Sequence, residues 1–176
     1  TDGSDVVLSA EYRFEPETVT WTAGAHAAAL AVDQDSGLCR VLDYVAVDEG
    51  GRSLNPMVVA GQVRGGVAQA IGGALLEEFA FGADGQPVCT TLMDYRIPTA
   101  SDVPHVRLVH VEHPSRANPL GVRGVGESGT IPGYAALAAA ADSATGVTHV
   151  SSTPLDPVLL ADALTGERPA GDAVVA

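Results

Sequence analysis

The sequence predicts an α+β fold, and three observations support that class. Two strand-like runs, residues 25–32 and 38–47, flank a turn rich in aspartate, serine and glycine, which is typical of a β-hairpin. Residues 57–79 repeat their apolar side chains at helical spacing. Strands and helices then follow one another without a regular βαβ repeat, so the class is α+β and not α/β.

Length and charge limit the function classes. The 176 residues suit one domain spanning 1–176, with the tail at 167–176 expected to be partly disordered. Nine basic residues against 22 acidic ones give a formal net charge of −13, which opposes nucleic-acid binding. No apolar run approaches a membrane span and the N-terminus lacks signal-peptide features, so we expect a cytoplasmic protein without a membrane partner.

The predicted hairpin carries the first polar candidates. Its second strand has residues 41, 43, 45 and 47 on one face and residues 42, 44 and 46 on the other, which indicates that both faces are mostly covered. His26, alone in an apolar strand, is expected to be a core histidine. Cys39 and Cys89 are too few and too far apart for a zinc or iron–sulfur site, and we expect both to be buried thiols.

The helix at 57–79 is rich in glycine. Asn55 is the expected N-cap, with Pro56 at the first helical position. Five interior glycines, at 61, 65, 66, 72 and 73, each cost about 1 kcal/mol relative to alanine, so another backbone or a ligand is expected to approach closely. Gln62 and Gln69 share one helix face and suit the edge of a heterocycle, although solvent-exposed polar residues have the same spacing.

The rest of the chain supplies shorter elements. We predict strands at 88–92, 105–113 and 147–150, and helices at 134–144 and 158–164. The second of these helices starts after the sequence TPLDP, and the first has small residues on nearly every side, which lets backbones approach.

Residues 118–132, NPLGVRGVGESGTIP, form a glycine-rich loop just before the helix at 134–144. Glycines at this density let a backbone surround a bound group, and Glu127 would project its carboxylate into that group. The loop also fits G-x-G-x-x-G, but it follows a loop and not a strand, which argues against a dinucleotide fingerprint. A surface loop, or a glutamate that favours the positive end of the helix dipole, are the other interpretations.

Four motifs, in this order, resemble the C-terminal part of the molybdenum-binding large subunit of the xanthine dehydrogenase/aldehyde oxidase family. They are DEGGRSLNP at 48–56, GQVRGGVAQAIG at 61–72, MDYRIP at 93–98, and the loop NPLG with GVGESGTI at 118–121 and 124–131. The similarity extends over about residues 25–152. It implies an α+β molybdopterin-binding domain.

The resemblance also implies an activity. A molybdenum hydroxylase oxidises an N-heterocycle or an aldehyde by attack of a molybdenum-bound hydroxide, and Glu127 matches the glutamate that takes up the proton. Gln69 matches the glutamine that binds molybdopterin, in its plain or cytosine dinucleotide form, and no residue of this chain ligates the metal. The remaining positions expected at the cofactor are Arg123, Gly124, Gly126 and Gly129.

Some positions depart from the family. Gly50 stands where many relatives have cysteine, Arg123 where many have lysine, and the run 132–134 replaces a glycine–alanine–proline sequence. The similarity covers only the end of the large subunit, so the expected partners are the rest of that subunit, an iron–sulfur subunit with 2Fe-2S clusters, an FAD subunit and a small-molecule substrate. The alternative is a structural or assembly subunit without catalytic function.

Overall fold

The computed structural model describes residues 9–146 and 152–166. Their regular elements are three strands and three helices, and the tail at 167–176 and the predicted strand at 147–150 lie outside the described residues. The elements are β1 (Ala23–Val32), β2 (Cys39–Glu49), α1 (Pro56–Leu75), β3 (Val106–His110), α2 (Gly133–Thr145) and α3 (Pro157–Thr165).

The strands form a mixed sheet in the order β1-β2-β3. β1 and β2 are antiparallel neighbours, which confirms the predicted hairpin, whereas β3 pairs parallel to β2. A parallel neighbour requires the chain to cross over the sheet, and α1 lies within that connection. The α+β class is therefore confirmed.

A β-bulge in the hairpin corrects the predicted alternation of β2. Leu30 pairs with Val41 and Ala29 pairs with Asp43, so Leu42 has no opposite residue. One extra residue reverses the side on which the following side chains lie. Val41 is therefore buried together with Tyr44, although simple alternation placed these two on opposite faces, and Leu42 is 50% exposed.

The core lies between the sheet and the helices α1 and α2. Its fully buried large side chains include Tyr44 of the sheet, Val63, Val67 and Ile71 of α1, and Leu137 of α2. A smaller cluster joins Ala141 of α2 and Leu160 of α3 with Leu155, which precedes α3. Fully burying a valine, leucine or isoleucine side chain stabilises a fold by about 1.5–3 kcal/mol, so these contacts fix α1 and α2 on the sheet.

α1 begins as the sequence predicts but ends earlier. The Asn55 side chain accepts a hydrogen bond from the Val58 N–H, which confirms the cap. The helix stops at Leu75 and not near residue 79, because the N–H groups of Leu76 and Glu77 both donate to the Gly72 carbonyl. A side chain on Gly72 would lie 2.9 Å from the Pro98 ring, so this glycine permits the close approach of the 95–98 segment.

The remaining predictions succeed unevenly. α2 and α3 lie within one residue of their predicted bounds. β3 is shorter than the predicted 105–113, and residues 88–92 form no strand. In that segment the chain turns instead, since the N–H groups of Asp94 and Tyr95 both donate to the Thr91 carbonyl. Leu92 is 80% exposed, so no sheet covers it.

Candidate functional site

The glycine-rich loop is fixed at its start by Asn118. The side-chain amide of Asn118 donates to the Val122 carbonyl at 2.9 Å and accepts from the Val122 N–H at 3.0 Å. Between them Gly121 has a φ of 71°, a left-handed conformation that favours glycine. The first turn of the loop is thus closed by one side chain.

The segment after β2 pairs with this same turn. Gly51 forms an antiparallel bridge with Val122, the Arg52 N–H donates to the Gly121 carbonyl at 2.8 Å, and the Arg123 N–H donates to the Gly50 carbonyl at 3.0 Å. Gly51 also has positive φ, and a Cβ there would lie 2.4 Å from the Gly121 oxygen. The motif DEGG therefore anchors the base of the glycine-rich loop.

Arg123, expected at the cofactor, directs its guanidinium elsewhere in this chain. Its Nε lies 3.5 Å from the Glu49 carboxylate, and its Nη1 donates to the Trp21 carbonyl at 2.8 Å. The Arg123 and Glu49 side chains are 25% and 18% exposed, so the pair is largely shielded from solvent. The side chain links the loop to the end of β2 and to the segment before β1.

At its far end the loop lies against α1. A Cβ on Gly129 would lie 2.2 Å from the Val63 carbonyl oxygen and 3.0 Å from the Cα of Gly66. The Thr130 hydroxyl donates to the Gly66 carbonyl at 3.2 Å. The predicted close approach of another backbone to a helix glycine is therefore confirmed at Gly66, and Gly129 is the residue that approaches.

The tip of the loop, between these two anchors, is open. Gly124, Gly126 and Glu127 are exposed, and a Cβ at either glycine would have no atom of the described residues within 4 Å. The Glu127 main chain is nevertheless fixed, because its carbonyl accepts from the N–H groups of Thr130 and Ile131 at 3.0 and 3.1 Å. The carboxylate thus projects from a defined turn.

Gln69 lies on α1, about one helical turn after Gly66, the glycine that contacts the loop. It follows Gly66 by three residues on α1, Glu127 precedes Gly129 by two, and both polar side chains are exposed. Gln62 is exposed as well, and a Cβ on Gly65 would have no atom of the described residues within 4 Å. The side of α1 that carries Gln62, Gly65 and Gln69 is therefore not covered by the residues that the structure describes.

Two histidines pair with polar groups of the sheet. His26 is half-buried, and its Nδ1 lies 2.8 Å from the Tyr44 hydroxyl while its Nε2 has no partner among the described residues, so the expected core histidine is met only in part. Burial lowers the pKa of His26, against a smaller opposing effect of the Asp48 charge. Burial also raises the pKa of Tyr44 to about 12. His110 pairs with Asp48, which is 2% exposed, at 2.7 Å.

Sequence reasoning missed Glu49 and the Asp48–His110 pair. Glu49 contacts Arg123, and Asp48 contacts His110, so each pair joins segments that are distant in sequence. Local spacing in the sequence does not predict such contacts. The expectation of buried thiols is met only in part, since Cys39 and Cys89 are both half-buried and free. Within the described ranges, no group of three or more histidine, cysteine or acidic side chains could hold a metal ion.

The chain is similar to a known protein family and to several known proteins. A family model described as the molybdopterin cofactor-binding domain matches residues 3–104. The chain is 37% identical over 159 residues to the 6-hydroxypseudooxynicotine dehydrogenase complex subunit gamma of Paenarthrobacter nicotinovorans, with 89% of this chain and 20% of that protein covered. It is 35% identical over 153 residues to the putative xanthine dehydrogenase molybdenum-binding subunit XdhA of Escherichia coli K12, with 85% and 20% covered.

A solved structure supports the same family. The crystal structure of quinoline 2-oxidoreductase from Pseudomonas putida 86 superposes with a TM-score of 0.78 at 44% identity, covering 83% of this chain and 19% of that one. The chain therefore belongs to the molybdopterin cofactor-binding domain family, and it corresponds to part of a molybdenum hydroxylase large subunit. The resemblance drawn from the four motifs is confirmed. The chain spans about a fifth of the length of these relatives.

Proposed function

We propose that this chain is the part of a molybdenum hydroxylase that supplies the general base, Glu127, and one side of the molybdopterin site. The observation that carries this proposal is the exposed Glu127 carboxylate on a loop that is anchored at both ends, by Asn118 at its start and by the Gly66–Gly129 contact at its end. A catalytic base must be held in place and yet be free to reach a substrate. Glu127 meets both conditions.

The residues around Glu127 fit a bound pterin. Gly124 and Gly126 leave open space where side chains would stand, so a ligand can approach the backbone directly. Gln69 offers two N–H donors and a carbonyl acceptor on the neighbouring exposed helix face. Gly129 and Arg123 contribute to the site by positioning the loop. Gly129 does so through its contact with α1, and Arg123 does so through its ion pair with Glu49.

The reaction that we propose inserts oxygen from water into a C–H bond, so that R–H and H₂O give R–OH, two protons and two electrons. The molybdopterin-bound metal, when present, supplies the redox chemistry and takes up both electrons. Glu127 accepts one proton at a carboxylate oxygen as the C–O bond forms. A positioned base of this kind contributes about 10²–10⁴-fold to a rate.

The proposed substrate is an N-heterocycle or an aldehyde. The names of three relatives refer to quinoline, xanthine and a hydroxylated pseudooxynicotine, which supports a heterocycle, and two similar structures are aldehyde oxidoreductases, which supports an aldehyde. Ring nitrogens withdraw electrons from the neighbouring carbon and so make it open to attack by an oxygen nucleophile. We propose that Gln69 binds the pterin and not the substrate. The pterin can be the plain molybdopterin or its cytosine dinucleotide form.

The proposed partners are the rest of the large subunit, a 2Fe-2S subunit and an FAD subunit, which would carry the two electrons away. Large apolar side chains on the surface of the chain support further protein contacts. Four of them, Trp21, Met57, Leu92 and Met93, are 75–92% exposed.

No helix in ranges 9–146 and 152–166 combines the length and apolar character that crossing a bilayer requires. We propose a cytoplasmic location.

The test is Glu127→Gln in the assembled enzyme, with Glu78→Gln as the control because Glu78 is also exposed. We expect Glu127→Gln to lower kcat by at least about 10²-fold while molybdenum content, measured by elemental analysis, stays unchanged. The control should keep full activity. Turnover that survives in Glu127→Gln with molybdenum bound would refute the base assignment and leave a structural or assembly subunit as the better description.

A further inference from the structure

Glu49, the last residue of β2, connects three separate segments of the chain. One carboxylate oxygen, Oε1, accepts hydrogen bonds from the Gly51 N–H at 2.8 Å and from the His113 N–H at 3.2 Å. The other, Oε2, lies 3.5 Å from Nε of Arg123. The residue thus joins the segment after β2, the segment after β3 and the glycine-rich loop.

The environment keeps the Glu49 carboxylate ionised. Burial alone would raise its pKa, but the two backbone N–H donors, from Gly51 and His113, and the nearby charges of Arg123 and His113 together hold the pKa below its usual value. Hydrogen bonds to an ionised carboxylate are stronger than those between neutral groups. These hydrogen bonds hold the Glu49 carboxylate in place, and its charge attracts Arg123 across an ion-pair distance of 3.5 Å.

Arg123 transmits this anchor to the loop. Its main-chain N–H donates to the Gly50 carbonyl, its guanidinium lies between Glu49 and the Trp21 carbonyl, and it precedes Glu127 by four residues. Two of the three residues between Arg123 and Glu127 are glycines, whose backbone freedom is high. Because these glycines give the segment little stiffness of its own, it is restrained from outside: by Arg123 at its start, and at its end by the bonds from Thr130 and Ile131 to the Glu127 carbonyl.

We propose that Glu49 is a positioning residue for the general base: through Arg123 it holds the glycine-rich loop in the conformation that directs the Glu127 carboxylate toward the substrate. The inference rests on the proposed function of Glu127. Glu49 itself contacts main chain and Arg123, and its contribution lies in the geometry of the loop.

The test compares Glu49→Gln with the native enzyme in the assembled complex. Glutamine keeps one oxygen for the N–H groups of Gly51 and His113, and it replaces the charged oxygen that faces Arg123 with an uncharged NH2 group. We expect kcat to fall by about 10- to 100-fold, since small misplacements of a reacting group have effects of this size, while KM and molybdenum content stay unchanged. Hydrogen–deuterium exchange of residues 118–127 should become faster, both with and without molybdenum.

Companion variants separate this role from others. Arg123→Lys keeps the positive charge and should retain more activity than Arg123→Gln, and the double variant of Glu49→Gln with Arg123→Gln should be no worse than either single one. The control is Asp43→Asn, because Asp43 forms an ion pair with Arg107 in which both side chains are about half exposed. This control should leave kcat and the exchange of the loop unchanged.

The outcomes distinguish the two proposals. If Glu127→Gln is inactive but Glu49→Gln keeps native kcat and native exchange, the positioning role is wrong and the base assignment stands. If Glu49→Gln loses molybdenum, or raises KM as much as it lowers kcat, Glu49 supports the fold or the cofactor site and the positioning role is again wrong. If Glu127→Gln stays active, both proposals fail together.

Discussion

Gly66 of α1 and Gly129 of the glycine-rich loop contact each other backbone to backbone, and a Cβ on either would lie 2.9–3.0 Å from main-chain atoms of the other. The contact fixes the end of the loop that carries Glu127. It also explains one interior helix glycine, which costs about 1 kcal/mol of helix propensity relative to alanine. The loop can therefore lie this close to the helix only because both contacting residues are glycines.

We expect Gly66→Ala to destabilise the protein and displace the loop, because its Cβ would meet backbone that cannot rotate away. Overpacking of this kind costs about 1–3 kcal/mol. Gly65→Ala is the matched control, since its Cβ has no atom of the described residues within 4 Å and it adds helix propensity. Thermal unfolding of the assembled protein measures both, and equal destabilisation by the two variants would contradict the explanation.

The sequence predicted the parts of the fold that depend on local pattern. The hairpin, the start of α1 and both later helices follow from periodicity and from caps such as Asn55 and Asp156, whose side chains accept from nearby N–H groups. The bulge at Leu42 was not predictable, because one unpaired residue changes the sheet face without changing the composition. The packing of Pro98 against Gly72, near the end of α1, was not predictable either, because Pro98 lies far along the chain.

The candidate site divides in the same way. Glu127, Gln69 and the loop glycines stand in recognisable motifs, so their places on a loop and on α1 could be predicted, whereas their roles at a cofactor stay a prediction. The direction of the Arg123 side chain could not, because its partners Glu49 and the Trp21 carbonyl are distant in sequence. Long-range ion pairs require the tertiary structure, whereas glycine-rich loops are evident from the sequence.

Gly50 and Val125 should be energetically coupled. Gly50 is buried, its φ is not positive, and a Cβ there would lie 2.2 Å from Cγ1 of Val125. Gly50→Ala alone is expected to destabilise the protein, and adding Val125→Ala should restore much of the loss by making room. We expect a coupling free energy of about 1 kcal/mol or more in a double-mutant cycle from chemical unfolding. Additive effects of the two variants would exclude this contact as the cause.

His26 should make stability depend on pH. Its folded-state pKa lies below the usual 6.5 because burial disfavours the charged form, so the unfolded chain binds a proton more readily. Its contribution to stability is therefore fully present above pH 6.5 and is lost as the pH falls from there toward the lowered pKa. His26→Gln should reduce this acid sensitivity of the thermal midpoint. His105→Gln, at an exposed position, is the control and should leave the pH profile unchanged.

Asn55 tests whether the start of α1 contributes to stability on its own. Its Oδ1 accepts from the Val58 N–H at 3.2 Å, which satisfies one of the N–H groups that a helix N-terminus leaves without a partner. Asn55→Ala should lower the free energy of unfolding by about 1 kcal/mol, whereas Asn55→Asp keeps an acceptor and adds a charge that the helix dipole favours. Chemical unfolding of the assembled protein measures the difference. If alanine and aspartate were equally stable, the start of α1 would be held by packing of Val59 and Val63 against the core, and the cap would add nothing.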